Sequence, residues 1–303
     1  MDVKQGLGFY NFPAMEFTDD DRENLNACPW CGADELDDWG RSVRGFVSAL
    51  CKGCGLIFVC NRLGGAGLEK YYKNYLSSVH QTDKEMNAKR TEMYRIEADF
   101  IDKFSPGGSV LDVGCSGGYF LDVLKEHGFR CHGVEFGEEA AAEAAGKHDV
   151  RQGDFTHLDL EDSFDLIVFR GVIEHIPDAR GYLDRAVSLL DARGLIYITS
   201  TPNADAFCCS LFEEQWNQHE PEAHLMHFRP AHFDQYFAAA GMEKVAEHYF
   251  YEETPYADPE TDILKVAEAI NLRRAGRPVE FRSPSFWGNM MSLVYRRRDG
   301  SHG

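Results

Sequence analysis

Apolar positions along this chain alternate between strand-like runs and helical spacing, and the alternation outlines a β/α protein. Val110 to Val113 is a short apolar run that reads as a buried strand. It breaks at Gly114-Cys115-Ser116-Gly117-Gly118, and from Tyr119 to His127 (YFLDVLKEH) apolar residues recur at helical spacing. Phe129 to Val134 predicts a second strand, Glu138 to Lys147 an alanine-rich helix, and the surroundings of Val150 a short third strand. Phe164 to Phe169 (FDLIVF) is too apolar for a half-exposed strand and fits a central parallel one, covered on both faces. A helix and the run Gly194 to Ser200 follow, and Phe286 to Tyr295 supplies the last strand. Ahead of them all, Asp83 to Phe104 predicts a helix that stops at Ser105-Pro106-Gly107-Gly108. Strands alternating with helices in this way predict an α/β, doubly wound sheet.

Strand, glycine turn and helix together bring a nucleotide-like ligand against bare backbone at a helix N-terminus. Glu135 ends the second strand, which in a doubly wound sheet places it beside the first glycine turn. There its two oxygens can accept hydrogen bonds from both hydroxyls of a ribose; the alternative is a solvated loop carboxylate. Gly153-Asp154-Phe155 offers an acid for the amino edge of an adenine and a ring for its face.

Taken in order, VLDVGCSGGYF (110–120), the acid at 135, GDF (153–155) and FDLIVFRGVIEHIPD (164–178) resemble the motifs of the class I S-adenosylmethionine-dependent methyltransferases. The resemblance covers roughly residues 85–250. It implies S-adenosyl-L-methionine as cofactor and a Rossmann-like sheet of seven strands, the last antiparallel. It also implies cofactor contacts from Asp112, Gly114, Cys115, Ser116, Gly118, Glu135, Phe136, Asp154, Phe155, Arg170 and His175, with a structural or cofactor-side role for His175. The chain departs from the family pattern at Ser116, where the middle glycine of the first motif is usual; serine is small and turn-tolerant. A nicotinamide dinucleotide would want a cleaner GxGxxG and leaves GDF and EHIPD unexplained.

The N-terminal part carries different chemistry. Cys28-Pro-Trp-Cys31-Gly and Cys51-Lys-Gly-Cys54-Gly are two CxxC knuckles in one short segment. Each turns two thiolates toward a common point, and four thiolates complete a closed tetrahedral site that suits structural zinc. Such a shell leaves no open position for water, so the metal is expected to contribute stability and not chemistry. The other five cysteines, Cys60, Cys115, Cys131, Cys208 and Cys209, lie in apolar or strand-like contexts and read as buried thiols. Thiols kept for metal, with no export leader read and no apolar run long enough to span a membrane, make a reducing cytoplasm the expected compartment.

The 303 residues hold 50 acids against 31 bases, a formal charge of −19 that repels phosphate backbones and anionic membranes. No nucleic-acid and no membrane partner is therefore expected, and Arg296-Arg297-Arg298 reads as a solvated end. The chain divides into an acidic lead-in (1–25), a zinc-ribbon-like module (26–62) and the methyltransferase-like domain (63–303). That domain carries an insertion at about 201–229, crowded with Asn, Glu, His, Trp and Cys. Ligands of open α/β sheets bind beyond the carboxyl ends of the strands, where this insertion begins. His224 or His227 is the candidate general base on the methyl acceptor, with Glu222 or Tyr75 next in line; a metal site or a loop-holding role for the histidines is the alternative. Tyr71, Tyr72 and Tyr75 are candidates either for closing the methionine end of the cofactor site or for plain packing.

Relatives in the resembled family that join a cysteine-rich segment to this domain imply a small acceptor of the nucleotide-linked sugar or glycan kind. Two other functions compete. An RNA base methyltransferase also fits a zinc module, although Asp34, Glu35, Asp37 and Asp38 would repel RNA. A non-catalytic binding protein built on the same sheet is the other, opposed by Asp112, Glu135 and Asp154.

Overall fold

The computed structural model describes residues 17–42, 44–73, 84–105, 107–160 and 163–298. In chain order the elements are β1 (Leu36–Arg41), β2 (Val47–Cys51), β3 (Ile57–Val59), α1 (Gly65–Lys73) and α2 (Lys84–Asp102). Next come β4 (Gly108–Val113), α3 (Tyr119–Glu126), β5 (Phe129–Glu135), α4 (Glu138–Ala145), β6 (Asp149–Gln152) and β7 (Phe164–Arg170). They are followed by α5 (Ala179–Leu189), β8 (Leu190–Pro202), α6 (Phe207–Phe212) and β9 (Met226–His227). The chain continues through α7 (Pro230–Ala239), β10 (Met242–His248), α8 (Pro259–Arg274) and β11 (Met290–Arg297).

These elements gather into two compact units that interleave along the chain. One comprises residues 85–201, 230–250 and 290–303. It holds a seven-stranded sheet in the order β10-β11-β8-β7-β4-β5-β6. β6, β5, β4, β7 and β8 run parallel, with Asp112 paired to Gly133 on one side and to Val168 on the other. β11 pairs antiparallel with β10. β4 is buried from Ser109 to Val113, as a strand between two parallel neighbours and two helical layers must be. Its core joins Val110, Leu121, Leu124, Leu166, Val168, Leu195 and Tyr197. This is the α/β class the apolar pattern implied.

Local differences have local causes. The last strand starts at Met290 and not at Phe286, because the Asn289 N–H closes on the Phe286 carbonyl (3.1 Å) and Gly288 takes φ 84° in the turn so formed. β10 (MEKVAEH) shows no strand period in its sequence: Glu243, Lys244, Glu247 and His248 hide it, and pairing with β11 makes it a strand. α8 escapes the pattern as well, since only Asp262, Val266 and Ala269 of its residues are buried.

The other unit comprises residues 1–84, 202–229 and 251–289. Its four-stranded sheet has the order β1-β2-β3-β9, and the fourth strand comes from the far segment: Ile57 pairs with His227 and Phe58 with Met226. Residues 17–25, expected as a loose lead-in, run along this unit. The Glu23 N–H reaches the Arg62 carbonyl (2.9 Å), that of Leu25 reaches Cys60 (2.7 Å), and Glu23 pairs with Arg62. No helix among the described residues is long and apolar enough to cross a membrane.

Candidate functional site

The turn between β4 and α3 is shaped by its small residues. Gly114 takes φ 76°, and a Cβ there would come within 2.7 Å of Val172. The N–H groups of Gly114 and Cys115 both reach the Val134 carbonyl at the end of β5 (2.8 and 3.1 Å), which ties the turn to the second strand. Ser116 holds φ 49°, a left-handed conformation that costs a non-glycine residue about 1–2 kcal/mol. Its Oγ is buried without a hydrogen-bond partner.

Glu135 ends β5 beside this turn. One carboxylate oxygen accepts the Ser116 N–H (2.8 Å) and the other the Gly137 N–H (2.7 Å). Burial raises its pKa, and the backbone donors oppose the rise. With the Phe136 N–H as a third backbone donor, the carboxylate is held in place by its own turn and keeps part of its acceptor capacity for a ligand. Phe136, the next residue, is half exposed. Cys115, by contrast, turns its side chain inward: its Sγ lies where a Cβ on Gly133 would need to be, so only its backbone faces the turn.

Asp154 and Phe155 are placed differently from the expectation of an acid and a stacking ring. Asp154 Oδ1 accepts from the Thr156 N–H (2.9 Å) and hydroxyl (2.7 Å) and from Tyr182 (3.2 Å), so it braces its own turn. Phe155 is 1 % exposed, packed against Tyr182 and Phe169, and presents no open face for stacking.

At the carboxyl ends of β7 and β8 lies a buried polar network the sequence reading missed. Glu97 on α2 is fully buried. It accepts from Arg170 Nε (2.5 Å), the Thr199 hydroxyl (2.8 Å) and the Ser200 hydroxyl (2.6 Å). Arg170, expected at the cofactor, is thus held by Glu97, with its guanidinium 4.3 Å from the Tyr94 ring centre. A signal for Glu97 existed: it shares the buried stripe of α2 with Met93, Tyr94, Ala98 and Ile101. Two more buried acids flank the strand ends. Asp112 is 2 % exposed, its Oδ1 has no partner, and burial pushes its pKa up to about 7. Burial likewise raises Glu174 to about 8, and the Thr201 hydroxyl is at 3.5 Å. His175 closes the short 3-10 turn Ile173–His175, 3.9 Å from Glu174.

In the second unit, His227 is a β9 residue with no exposed surface, ringed by Trp216 (5.3 Å between ring centres), His219 (5.7 Å), His224 (6.1 Å) and Trp39 (6.2 Å). His224 sets Nδ1 2.7 Å from the Gln218 carbonyl, which assigns the ring proton to Nδ1 and leaves Nε2 as the basic nitrogen. Burial lowers the pKa of His219 and His224 to about 4, so both rings are neutral at pH 7. Glu222 pairs with Arg44 (3.6 Å), and burial raises its pKa. Tyr71 packs edge-on against Tyr72 (5.2 Å) in a cluster with Phe46, Val59 and Leu63, which is the packing alternative. Tyr75 lies outside the described residues.

The four knuckle cysteines converge. Their sulfurs all lie within 4.8 Å of one another, with Cys28–Cys54 at 3.6 Å and Cys31–Cys51 at 3.5 Å, and all four are free thiols. Tetrahedral zinc–sulfur bonds of about 2.3 Å would set sulfurs about 3.8 Å apart, so the cluster fits that ion. The knuckles fold alike: the Gly32 N–H returns to the Cys28 carbonyl (2.9 Å) and the Gly55 N–H to that of Cys51 (2.8 Å). Both glycines are left-handed, at φ 78° and 79°.

A doubly wound sheet with an acid-braced glycine turn at its centre defines a nucleotide-type α/β protein. Within that class the family model described as "Methyltransferase domain" matches residues 85–247, just over half of the 303-residue chain, and the chain belongs to that family. A probable S-adenosylmethionine-dependent methyltransferase of Mycolicibacterium smegmatis is 31% identical over 105 residues, covering 33% of this chain and 40% of that protein. A ubiquinone biosynthesis O-methyltransferase of Hahella chejuensis is 32% identical over 99 residues, covering 29% and 41%. The chain thus spans less than half the length of either relative. Among solved structures, a Burkholderia thailandensis 1,6-didemethyltoxoflavin-N1-methyltransferase with bound 1,6-didemethyltoxoflavin and S-adenosylhomocysteine aligns with TM-score 0.51 at 18% identity, over 83% of this chain and 96% of that one. Magnesium protoporphyrin IX methyltransferase of Synechocystis PCC 6803 with bound SAH aligns with TM-score 0.50 at 13% identity, over 77% and 95%. At these identities the likeness is one of fold.

Proposed function

We propose that this protein is an S-adenosylmethionine-dependent methyltransferase acting on a small-molecule acceptor. The observation that carries the reading is Glu135, fixed at the tip of β5 by the Ser116 and Gly137 N–H groups, with acceptor capacity left to meet the ribose. The orphan Oδ1 of Asp112 at the end of β4 is a second point of fit, since a buried acceptor without a donor is costly until a ligand or water supplies one. S-adenosylmethionine supplies, when bound, a methyl group on a cationic sulfur, already activated toward nucleophiles. Glu135 then orients the ribose and the glycine turn admits the ligand against backbone, while α2, locked by Glu97 to β7 and β8, keeps the strand ends rigid.

Residues 201–229 are the acceptor-recognising segment in this reading, and His224 is the stronger of the two candidate bases. The Gln218 carbonyl orients its ring with Nε2 as the basic nitrogen and the residue keeps partial exposure, whereas His227 has no exposed surface. A base with pKa about 4 takes up a proton that methyl transfer itself has made acidic. The sugar-like acceptor is the narrower form of the proposal and rests on the family resemblance of the cysteine-bearing segment. Structural zinc at Cys28, Cys31, Cys51 and Cys54 completes it. Calorimetry with S-adenosylhomocysteine tests the reading: one site per chain is expected, and no binding, or preferential binding of NAD, would overturn it.

A further inference from the structure

The segment 202–229 and the four-cysteine module are far apart in sequence, yet each part of the module holds a part of the segment. Trp30, inside the first knuckle, is 6 % exposed and packs edge-on against Phe228 with ring centres 5.3 Å apart. Beside the second knuckle, the Gly55 carbonyl accepts Arg229 Nε at 2.9 Å, and the same guanidinium pairs with Asp205. β3 takes β9 as its edge partner, and the Val59 N–H reaches the Leu225 carbonyl (3.0 Å). The Ser48 hydroxyl on β2 lies 3.0 Å from His219 Nε2, and Trp39 on β1 lies edge-on to the same imidazole at 4.8 Å.

Residues 26–62 taken alone would bury too little to fold without a metal or an equivalent staple, and in this unit they share sheet and core with 202–229. Gly55 is also the residue that closes the knuckle onto Cys51, so the atoms that set the sulfurs and the atoms that grip Arg229 belong to one turn. We propose that metal held by Cys28, Cys31, Cys51 and Cys54 folds the distant segment 202–229, making Arg229 and Phe228 positioning residues through which the metal centre governs acceptor recognition but not cofactor binding. The role assigned to the acceptor rests on the proposed function; the dependence of 202–229 on the metal does not. The linkage runs both ways: what loosens the segment must weaken the hold on the metal.

The test uses the full chain loaded with zinc, then stripped by a chelator. Trp216 is fully buried within the segment. Stripping should shift tryptophan emission to the red, the shift should shrink in Trp216→Phe, and protease cuts should appear within 202–229. S-adenosylhomocysteine affinity should stay within about twofold. In the reverse direction, Arg229→Ala should speed zinc loss to a chelator about 10-fold, as expected for removing a charge-assisted hydrogen bond from the knuckle, and Arg229→Lys should recover part of it. Trp216 emission and proteolysis unchanged on stripping would overturn the proposal. So would cofactor-product affinity that disappears with the metal, or zinc retention unaltered in Arg229→Ala. Failure of the zinc-loaded parent to bind S-adenosylhomocysteine would instead overturn the proposed function and leave the metal dependence of 202–229 to the other readouts.

Discussion

Replacing Glu135 by glutamine changes one heavy atom and tests the centre of the proposed cofactor site. In the parent, each carboxylate oxygen already accepts a backbone N–H, from Ser116 at 2.8 Å and from Gly137 at 2.7 Å. A glutamine must turn its NH2 toward one of these two donors, whichever way the amide lies. The turn therefore loses one hydrogen bond to a charged acceptor, and one ribose hydroxyl loses its acceptor. A hydrogen bond to a charged group contributes about 1.5–3 kcal/mol, which for the ribose corresponds to about 10- to 140-fold weaker binding of S-adenosylhomocysteine. The loss within the turn appears without ligand, as a fall in Tm of about 2–4 °C per kcal/mol. Calorimetry reads the first effect and thermal unfolding the second, with the exposed Glu138→Gln as a control that should move neither. A Tm that falls while affinity stays within about twofold would refute the ribose assignment. Glu135 would then be a brace for the Ser116 turn and no more.

Four further outcomes follow from single residues. Ser116→Gly relieves the φ 49° strain and removes an unpartnered buried hydroxyl, at the expense of unfolded-state entropy. A net stabilisation of about 0.5–1 kcal/mol is expected, and a lower Tm would count against strain at this position. Asp112 keeps its proton in the native state up to about pH 7, whereas an unfolded aspartate releases it near 3.9, so the native state binds more protons in between and stability falls as pH rises through that window. Asp112→Asn should therefore gain on the parent by pH 8, on the order of 4 kcal/mol at most, and hardly at pH 4; melting curves that move in parallel across this range would contradict the burial argument. His224→Ala should cut methyl transfer, followed as release of S-adenosylhomocysteine, by roughly two to four orders of magnitude with cofactor affinity intact. His227→Ala should instead lose about 2–5 kcal/mol of stability from β9, and a His224→Ala enzyme within a few-fold of the parent would place the base elsewhere.

What the sequence determined by itself is whatever depends on neighbours along the chain. The run Val110 to Val113, the glycines after it and the helical spacing from Tyr119 fix a strand, a turn and a helix, and the acid at 135 follows one strand later. The spacing of Cys28, Cys31, Cys51 and Cys54 marks a candidate metal site, because two residues between cysteines are enough to aim both sulfurs at one point. What only the tertiary structure decided are the partners that pairing and burial bring from afar. Phe155 has an aromatic's composition but an interior address, set by Phe169 and Tyr182. Glu97 is an ordinary helix glutamate in sequence; three donors from β7 and β8 make it the anchor of α2. His224 and His227 are three residues apart, yet the Gln218 carbonyl orients the ring of one while the other lies fully buried on a strand paired with β3, encoded some 170 residues earlier. Local periodicity encodes which elements form. Long-range register and desolvation decide which of their side chains have chemistry left to do.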